Sequence, residues 1–325
     1  MLHRFAKFVA GCTVLLVLAG SLVTSTNSGL SVPDWPTTYG WNMFTFPPSK
    51  WVGGILYEHG HRLIASSVGF LTIVLAVWLW MSEPRRWMKW LGVGALGAVI
   101  AQGVLGGLTV MFFLPAPIST AHAGLAEIFF CMTVAIALFT SRGWLAAYDG
   151  HVVDDAALRQ VATATTVLIY CQILVGATMR HTGAGLAIPD FPLMFGHLWP
   201  THWDSKIAVH FAHRVGALLV AIGVASTALA VFRRTALREL RRPAMLLAAL
   251  VCIQITLGAF TVLSKRDVWI NSLHVVCGAL VLTTSLVLTL RTWRTKFASG
   301  VRRVRLQANR VRLEPDTTYA DRTTA

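Results

Sequence analysis

Residues 54–82 read GILYEHGHRLIASSVGFLTIVLAVWLWMS. Beyond Arg62, this stretch contains no charged side chain and consists mostly of apolar residues. An α-helix needs about 20 apolar residues to cross the hydrocarbon core of a bilayer. The stretch therefore predicts a membrane-spanning helix that carries a glutamate, two histidines and an arginine near its first end.

Seven other windows have the same apolar character. The composition agrees with them, since 55% of the 325 residues are hydrophobic and 13% are charged, which excludes an ordinary soluble domain of this length. The sequence predicts an all-α polytopic membrane protein with eight transmembrane helices, near residues 8–26, 54–82, 90–113, 117–140, 158–179, 206–232, 243–263 and 269–290.

The distribution of basic residues predicts the orientation. The net charge is +14, but the basic residues collect at alternate connections and at the tails rather than along a groove, so we expect no nucleic-acid binding. Lysine and arginine favour the cytoplasmic side, which predicts a multi-pass protein of the bacterial inner (plasma) membrane with both termini in the cytoplasm. Seven of the 28 lysines and arginines are predicted to lie on the outer side: Lys50, Arg62, Arg180, Lys206, Arg214, Lys265 and Arg266.

The chain also contains an internal repeat. His61 aligns with His213, and His122 with His274, at one offset of 152 residues. Each unit holds four predicted spans, an even number, so both units have the same orientation in the membrane. The predicted organisation is two parallel four-helix-bundle repeats and a basic, disordered cytoplasmic tail: residues 1–145, 146–300 and 301–325.

A second alignment covers two outer loops. Residues 29–36, GLSVPDWP, match residues 185–192, GLAIPDFP, at an offset of 156. Proline is rigid, and aromatic side chains favour the membrane interface. We expect each loop either to fold back over its half as a lid or to form an ordinary turn anchored at the interface.

The four aligned histidines are candidate metal ligands. His61, His122, His213 and His274 each fall within about two turns of the start of a predicted span, and these spans run in the same direction. Histidines at matched depth in a four-helix bundle can present two imidazoles to opposite faces of one porphyrin. We therefore expect each pair to hold a haem. The alternatives are a hydrogen bond from each histidine to a carbonyl or headgroup, and zinc, for which neither pair has a third or fourth ligand.

Glu58 is the candidate catalytic residue. It lies three residues before His61, on the same face of the helix, and the aligned residue in the second half is His210. A carboxylate at this place can accept a proton or stabilise developing positive charge. The alternative is an i,i+4 ion pair with Arg62.

Three further groups of residues carry weaker predictions. Arg62 and Arg214 directly follow candidate ligands, and we expect them either to bind haem propionates or to extend to lipid headgroups. Glu127 lies about 140° around its helix from His122, so we do not expect it to face the same porphyrin. Most of the remaining histidines, His59 among them, are expected to be solvated.

Cysteines and glycines are given structural roles. All five cysteines lie inside predicted spans, so neither a disulfide framework nor a thiolate metal site is predicted. Glycines in the spans are expected to permit close approach of helices: Gly20, Gly103, Gly106, Gly107, Gly176 and Gly258.

Taken together, these features resemble the haem A synthase family of cytochrome oxidase assembly. The resemblance covers nearly the whole chain except the tail, and it includes the eight predicted spans and the outer Pro-Asp-aromatic-Pro loops. Its motifs, in order, are EHGHR at 58–62, AHAG at 121–124, HFAHR at 210–214 and LH at 273–274.

The resemblance implies that haem O is the substrate and that one of its ring methyls is oxidised to a formyl group through successive hydroxylations. It also implies roles for individual residues. His61 and His122 would ligate the substrate haem, and Glu58 would assist its oxidation. His213 and His274 would ligate a haem b that transfers electrons. Some family members have a cysteine pair in an outer loop, which this sequence lacks, so no redox role of such a pair is implied here.

Two other functions fit part of the pattern. A dihaem b cytochrome that passes electrons from quinol would need the four histidines but no carboxylate unique to one half. A haem transporter or assembly scaffold would bind haem without oxidising it. The expected partners are membrane lipid, an electron acceptor of unknown identity and, as a candidate protein partner, haem O synthase.

Overall fold

The fold is described by a computed structural model over residues 1–145, 155–233 and 238–294. Each of the eight predicted spans is a helix, and all eight are long and apolar enough to cross a membrane. They are α1 (Leu2–Ser25), α2 (Gly54–Ser82), α3 (Arg86–Met111), α4 (Ala116–Phe139), α6 (Ala156–His181), α7 (Ser205–Phe232), α8 (Arg238–Leu263) and α9 (Val268–Thr292). The helix α5 (Arg142–Leu145) is a single turn, and the described ranges contain no β-strand beyond two isolated bridges. The predicted tail at 301–325 lies outside the described residues.

The helix ends differ most from the prediction at α1 and α8. We placed their starts near residues 8 and 243, but the helices begin at Leu2 and Arg238. The prediction relied on apolar windows, whereas a helix backbone continues into the polar zone at the membrane surface, where charged side chains are tolerated. Pro243 lies within α8, close enough to its start for the missing N–H to disturb few hydrogen bonds.

Aspartates fix the starts of three helices. The side chains of Asp155, Asp204 and Asp267 accept hydrogen bonds from backbone N–H groups in the first turns of α6, α7 and α9. These N–H groups have no partner within their own helix, so an aspartate before the first residue stabilises it. The starts of α7 and α9 lie about two turns from His213 and His274, so these caps help to set the depth of both side chains.

The helices form an interlocked bundle. In the first half, α1 and α3 each pack against α2 and α4, and in the second half α6 and α8 each pack against α7 and α9. Across the middle, α4 contacts α6 and α9, and α1 contacts α9. Half of the apolar window of both α4 and α9 is buried, against 17–28% in the other six spans. The helices α4 and α9 therefore form the centre of the bundle.

Candidate functional site

His61 and His122 each pack against a glycine of the preceding helix. A Cβ atom on Gly20 of α1 would lie 3.0 Å from Cε1 of His61, and one on Gly106 of α3 would lie 3.3 Å from Cε1 of His122. These distances are at or below normal van der Waals contact. A larger side chain at either glycine would therefore displace the imidazole.

The second half has the same arrangement. A Cβ atom on Gly176 of α6 would lie 2.8 Å from Cε1 of His213, and one on Gly258 of α8 would lie 3.0 Å from Cε1 of His274. We expected these glycines to permit close helix approach, but the group that approaches them is an imidazole. The repeat could have revealed this, since these four glycines recur at the same two offsets as the loops and the histidines.

The structure brings the histidines together as the predicted pairs. His61 lies close enough to His122 for the two rings to interact electrostatically, and the same holds for His213 and His274. All four residues are partly exposed. Each half of the bundle therefore contains two imidazoles that come from its second and fourth long helices.

Three of these imidazoles contain a polar atom without a partner. The Nδ1 atoms of His61, His122 and His274 are shielded from solvent and have no hydrogen-bond partner in the described ranges. A shielded polar atom left in this state costs about 1–3 kcal/mol, so it needs an explanation. A role of these imidazoles in binding a metal would explain the unpartnered atoms.

Two glutamines support the histidine-bearing helices. Gln102 of α3 donates to the backbone oxygen of His122 at 2.8 Å. Gln172 of α6 donates to the backbone oxygen of His213 at 2.7 Å. In the first half, Leu16 stands at the position that Gln172 occupies in the second. Gln172 could not be found from the repeat, because the two halves do not share it.

Glu58 is buried, with 4% of its surface exposed. Its Oε1 accepts a hydrogen bond from Nη2 of Arg62 at 2.8 Å, and its Oε2 accepts one from the backbone N–H of Val32 at 2.8 Å. The i,i+4 ion pair with Arg62 is therefore present. The catalytic role of Glu58 stays a prediction.

Arg62 also fastens the first outer loop to α2. Its Nη1 donates to the backbone oxygens of Asp34 at 2.7 Å and Thr37 at 3.0 Å, and its Nη2 donates to that of Val32 at 2.9 Å. Together with Glu58, these acceptors occupy both terminal nitrogens of the guanidinium. Propionate binding by Arg62 stays a prediction, and the contacts observed are with protein.

Arg214 makes the equivalent contacts in the second half. Its Nη2 donates to the backbone oxygens of Asp190 at 2.6 Å and Ile188 at 3.3 Å, and its Nη1 donates to that of Leu193 at 2.9 Å. Arg214 is thus held by the second loop as Arg62 is by the first, and its role toward a propionate also stays a prediction.

His210 replaces Glu58 in the attachment of the second loop. Its Nδ1 accepts a hydrogen bond from the backbone N–H of Ile188 at 3.2 Å, and Ile188 aligns with Val32. Both loops are therefore attached at the same point by the same helix position. The attachment is common to the two halves, whereas the carboxylate is present only in the first.

The first loop lies across the start of α2 and the end of α3. Arg62 holds its backbone on α2, and the ring of Trp35 rests on Gly107 of α3, where a Cβ atom would collide with it. The same loop position has a cis peptide bond in each half, at Trp35-Pro36 and Phe191-Pro192. Of the two predicted alternatives, the contacts of Arg62 and Trp35 support a lid.

Each loop is built around an aspartate. Asp34 accepts hydrogen bonds from the backbone N–H groups of Gly40 at 2.9 Å and Tyr39 at 2.8 Å, and from the hydroxyl of Thr37. Partial burial alone would raise the pKa of Asp34, but these hydrogen bonds stabilise the carboxylate and bring the pKa below its usual value. The resulting stabilisation is present at neutral pH and is lost as the pH falls through the lowered pKa.

Asp190 has the same role in the second loop. It accepts hydrogen bonds from the backbone N–H groups of Phe195 and Gly196, each at 2.8 Å. Burial would raise the pKa of Asp190, but these bonds and the charge of Arg214 lower it overall. Both loops therefore hold their shape through an ionised aspartate.

The prediction that His59 is solvated is wrong. His59 is fully buried in α2, its Nδ1 lies 3.1 Å from the hydroxyl of Thr38, and its ring packs against those of Phe46 and Trp51. The segment after the first lid folds back over α2 and covers this residue. No local sequence signal marks that long-range packing.

Glu127 lies in the interface between α4 and α6. It is 5% exposed, and its Oε2 has no hydrogen-bond partner in the described ranges. The side chains of Cys131 and Tyr170 are near enough to interact with it electrostatically. The structure thus places Glu127 between the two halves.

Within the described ranges, no three side chains of histidine, cysteine, aspartate or glutamate come together as a metal site. Each histidine pair therefore offers two protein ligands, which suits a metal whose remaining ligands come from a porphyrin. All five cysteines are free of disulfide bonds.

Comparison with known proteins gives a consistent result. Residues 3–286 match the model of a protein family described as cytochrome oxidase assembly protein. A Heme A synthase from Symbiobacterium thermophilum is 30% identical over 267 residues, which cover 80% of this chain and 85% of that protein. A Heme A synthase from Halalkalibacterium halodurans is 28% identical over 87% of this chain and 95% of its own length. A Heme A synthase from Chelativorans sp. is 27% identical over 82% of this chain and 84% of its own length.

Proposed function

The chain belongs to the cytochrome oxidase assembly protein family, and on this premise we propose that it is a haem A synthase. It is an oxidoreductase that converts haem O to haem A by oxidising a ring methyl to a formyl group. The names of its relatives support this activity. The observation in this chain that carries the proposal is its two matched histidine pairs, in which each ring rests on a glycine.

The donors fit haem. In the proposal, His61 and His122 bind the iron of the substrate haem O, and His213 and His274 bind that of a resident haem b. The glycines support it because they let each ring pack in one orientation, and the shielded, unpartnered Nδ1 atoms of three of the rings support it because none of the described protein groups occupies them. A resident haem b would supply one-electron transfer for the oxidation.

In this proposal, Glu58 provides the catalytic carboxylate of the first site. Arg62 fixes its position through the 2.8 Å ion pair. An ionised Glu58 can accept a proton at Oε1 or Oε2 or offset positive charge that develops on the substrate. His210, its counterpart, carries no negative charge, which matches a second half that holds a cofactor without oxidising it.

We also propose that residues 1–145 and 146–300 are parallel repeats, with the substrate site in the first and the haem b site in the second. Three features support this: the matching helix contacts within each half, the matching loop attachments and the matching glycine–histidine contacts. Two separate apolar clusters, one in each half, also support it.

The chain is a multi-pass membrane protein, and the finer localisation is a proposal. The bias of basic residues supports a bacterial inner membrane with both termini in the cytoplasm. Haem O synthase is the proposed protein partner, since it would deliver a substrate that is poorly soluble in water. The electron acceptor is proposed to be a separate redox partner.

Product analysis tests the function. Cells that make haem O and express this chain should contain haem A, identified by chromatography and mass after haem extraction, whereas cells with an empty vector should not. Haem b bound to the protein without any haem A would instead indicate the electron-transfer cytochrome.

Gly176→Ala should disturb the second site selectively. The new methyl would lie 2.8 Å from Cε1 of His213, so the ring must move, and such overpacking costs about 1–3 kcal/mol. We expect a weaker low-spin haem b spectrum at equal protein concentration. Gly103→Ala is the matched control, because a Cβ there has no neighbour within 4 Å. Equal spectra for the two variants would contradict the proposed contact.

A further inference from the structure

Arg180 is a basic residue at the end of α6, and none of the described residues gives it an acidic partner. Its Nη2 donates to the backbone oxygen of Ser21 and to the hydroxyl of Ser25, both at 3.0 Å and both on α1. Its Nε is shielded from solvent and has no acceptor in the described ranges. The ion pairs found in those ranges, Arg62 with Glu58 and Arg85 with Glu83, do not include it.

The surroundings of Arg180 add positive charge. Arg266 is near enough for the two guanidinium charges to repel each other. The acidic residue next to Arg266, Asp267, uses its side chain to cap α9. A partly buried cation beside a second cation, with an unused N–H, is unfavourable inside a membrane protein unless an anion accompanies it. The part of the chain that the structure describes does not supply this anion.

The position of Arg180 indicates where the anion lies. Gly176, which contacts the ring of His213, precedes Arg180 by four residues. The two therefore share a face of α6, with Arg180 one turn nearer the helix end. Arg180 is also close enough to His274 to interact with it electrostatically. It thus lies near His274 and one helical turn from the glycine that contacts His213.

We infer that Arg180 is a carboxylate-binding residue of the second histidine site, where it receives a propionate of the bound haem b. This inference rests on the proposed function, which assigns His213 and His274 to that haem. A guanidinium presents parallel N–H groups that match a carboxylate, and the unpartnered Nε–H is the donor that remains available. Arg62 and Arg214, the arginines that the sequence suggested for propionates, are already held by loop backbone, which leaves Arg180 as the arginine with an available donor.

The first half lacks this residue. Thr24 aligns with Arg180 at the offset of 156, so the first site has a neutral hydroxyl where the second has a cation. This difference agrees with the two proposed occupants. A resident cofactor benefits from an additional charged anchor, whereas a substrate that must leave after oxidation does not.

The test compares purified holo-protein with its Arg180→Gln variant. Loss of a charge-assisted hydrogen bond should make transfer of haem b to apomyoglobin about 10- to 100-fold faster. The midpoint potential of haem b should fall, because removing a nearby cation stabilises the ferric state. Arg180→Lys keeps the positive charge but loses the parallel N–H groups of the guanidinium. It should therefore transfer haem b faster than the wild type does, while the midpoint potential of haem b stays near the wild-type value. The lysine variant also serves if the glutamine variant does not fold.

Two controls separate anion binding from a structural role. Ser25→Ala removes an acceptor that ties Arg180 to α1 but leaves the guanidinium, and Thr24→Val changes the matched position in the first half. Both should keep the wild-type potential. A shift in Ser25→Ala equal to that in Arg180→Gln would overturn the inference.

The remaining outcomes are also decisive. If Arg180→Gln transferred haem b at the wild-type rate and kept the wild-type midpoint potential, the inference would be overturned, while the proposed function would stay intact. A wild-type protein that binds no haem b would overturn both.

Discussion

His213→Ala and His274→Ala are each expected to remove tightly bound haem b from the purified protein. Either change deletes one of two proposed axial ligands and opens space beside Gly176 or Gly258. Loss of an outer partner of a metal ligand typically lowers metal affinity about 10- to 100-fold, and loss of a ligand itself should lower it further. The measurement is the low-spin absorption spectrum per mole of protein.

The matched control for this prediction is His61→Ala. It makes the same change at the aligned position of the first half, so it should retain haem b while losing conversion of haem O. If His213→Ala kept its full low-spin haem b and His61→Ala lost it, the assignment of the two sites would have to be reversed.

The sequence was sufficient to predict the spans and the pairing of the histidines. Eight apolar windows determine eight helices because the bilayer imposes their length. A shared offset determines which histidines occupy equivalent places, as the contacts of Gly20 with His61 and of Gly176 with His213 illustrate. Such patterns are periodic or repeated, so they can be detected without any knowledge of the folded chain.

The contacts that surround the site could not be predicted in this way. Glu58 binds the backbone N–H of Val32, 26 residues earlier in the chain, and a backbone donor leaves no mark on the sequence. Arg180 of α6 contacts Ser21 of α1, 159 residues earlier. This contact joins the two halves, and the internal repeat predicts only which positions are equivalent, not which residues meet between the halves. His59 is buried by a segment that the alignment of the loops does not cover.

The structure also sharpens the interpretation of Glu58. A carboxylate uses one oxygen for Arg62 and the other for Val32, whereas a glutamine side chain has a single acceptor oxygen. Glu58→Gln therefore removes the negative charge and also weakens the attachment of the loop. An experiment on this residue has to separate the two effects.

Glu58→Gln is expected to keep its haem b and to convert haem O at least about 100-fold more slowly, because the amide can neither accept a proton nor offset positive charge. The measurement is the rate of haem A formation at equal haem b content. His210→Gln is the matched control, since it alters the loop attachment of the second half without removing a charge, and it should matter much less.

Arg62→Gln distinguishes catalysis from loop attachment. It breaks the same ion pair and more of the loop contacts than Glu58→Gln does, but it leaves the carboxylate in place. If the carboxylate acts on the substrate, Arg62→Gln should retain more activity than Glu58→Gln, and the double variant should be no slower than Glu58→Gln alone. Normal haem A formation by Glu58→Gln would instead show that Glu58 serves as the partner of Arg62 and Val32.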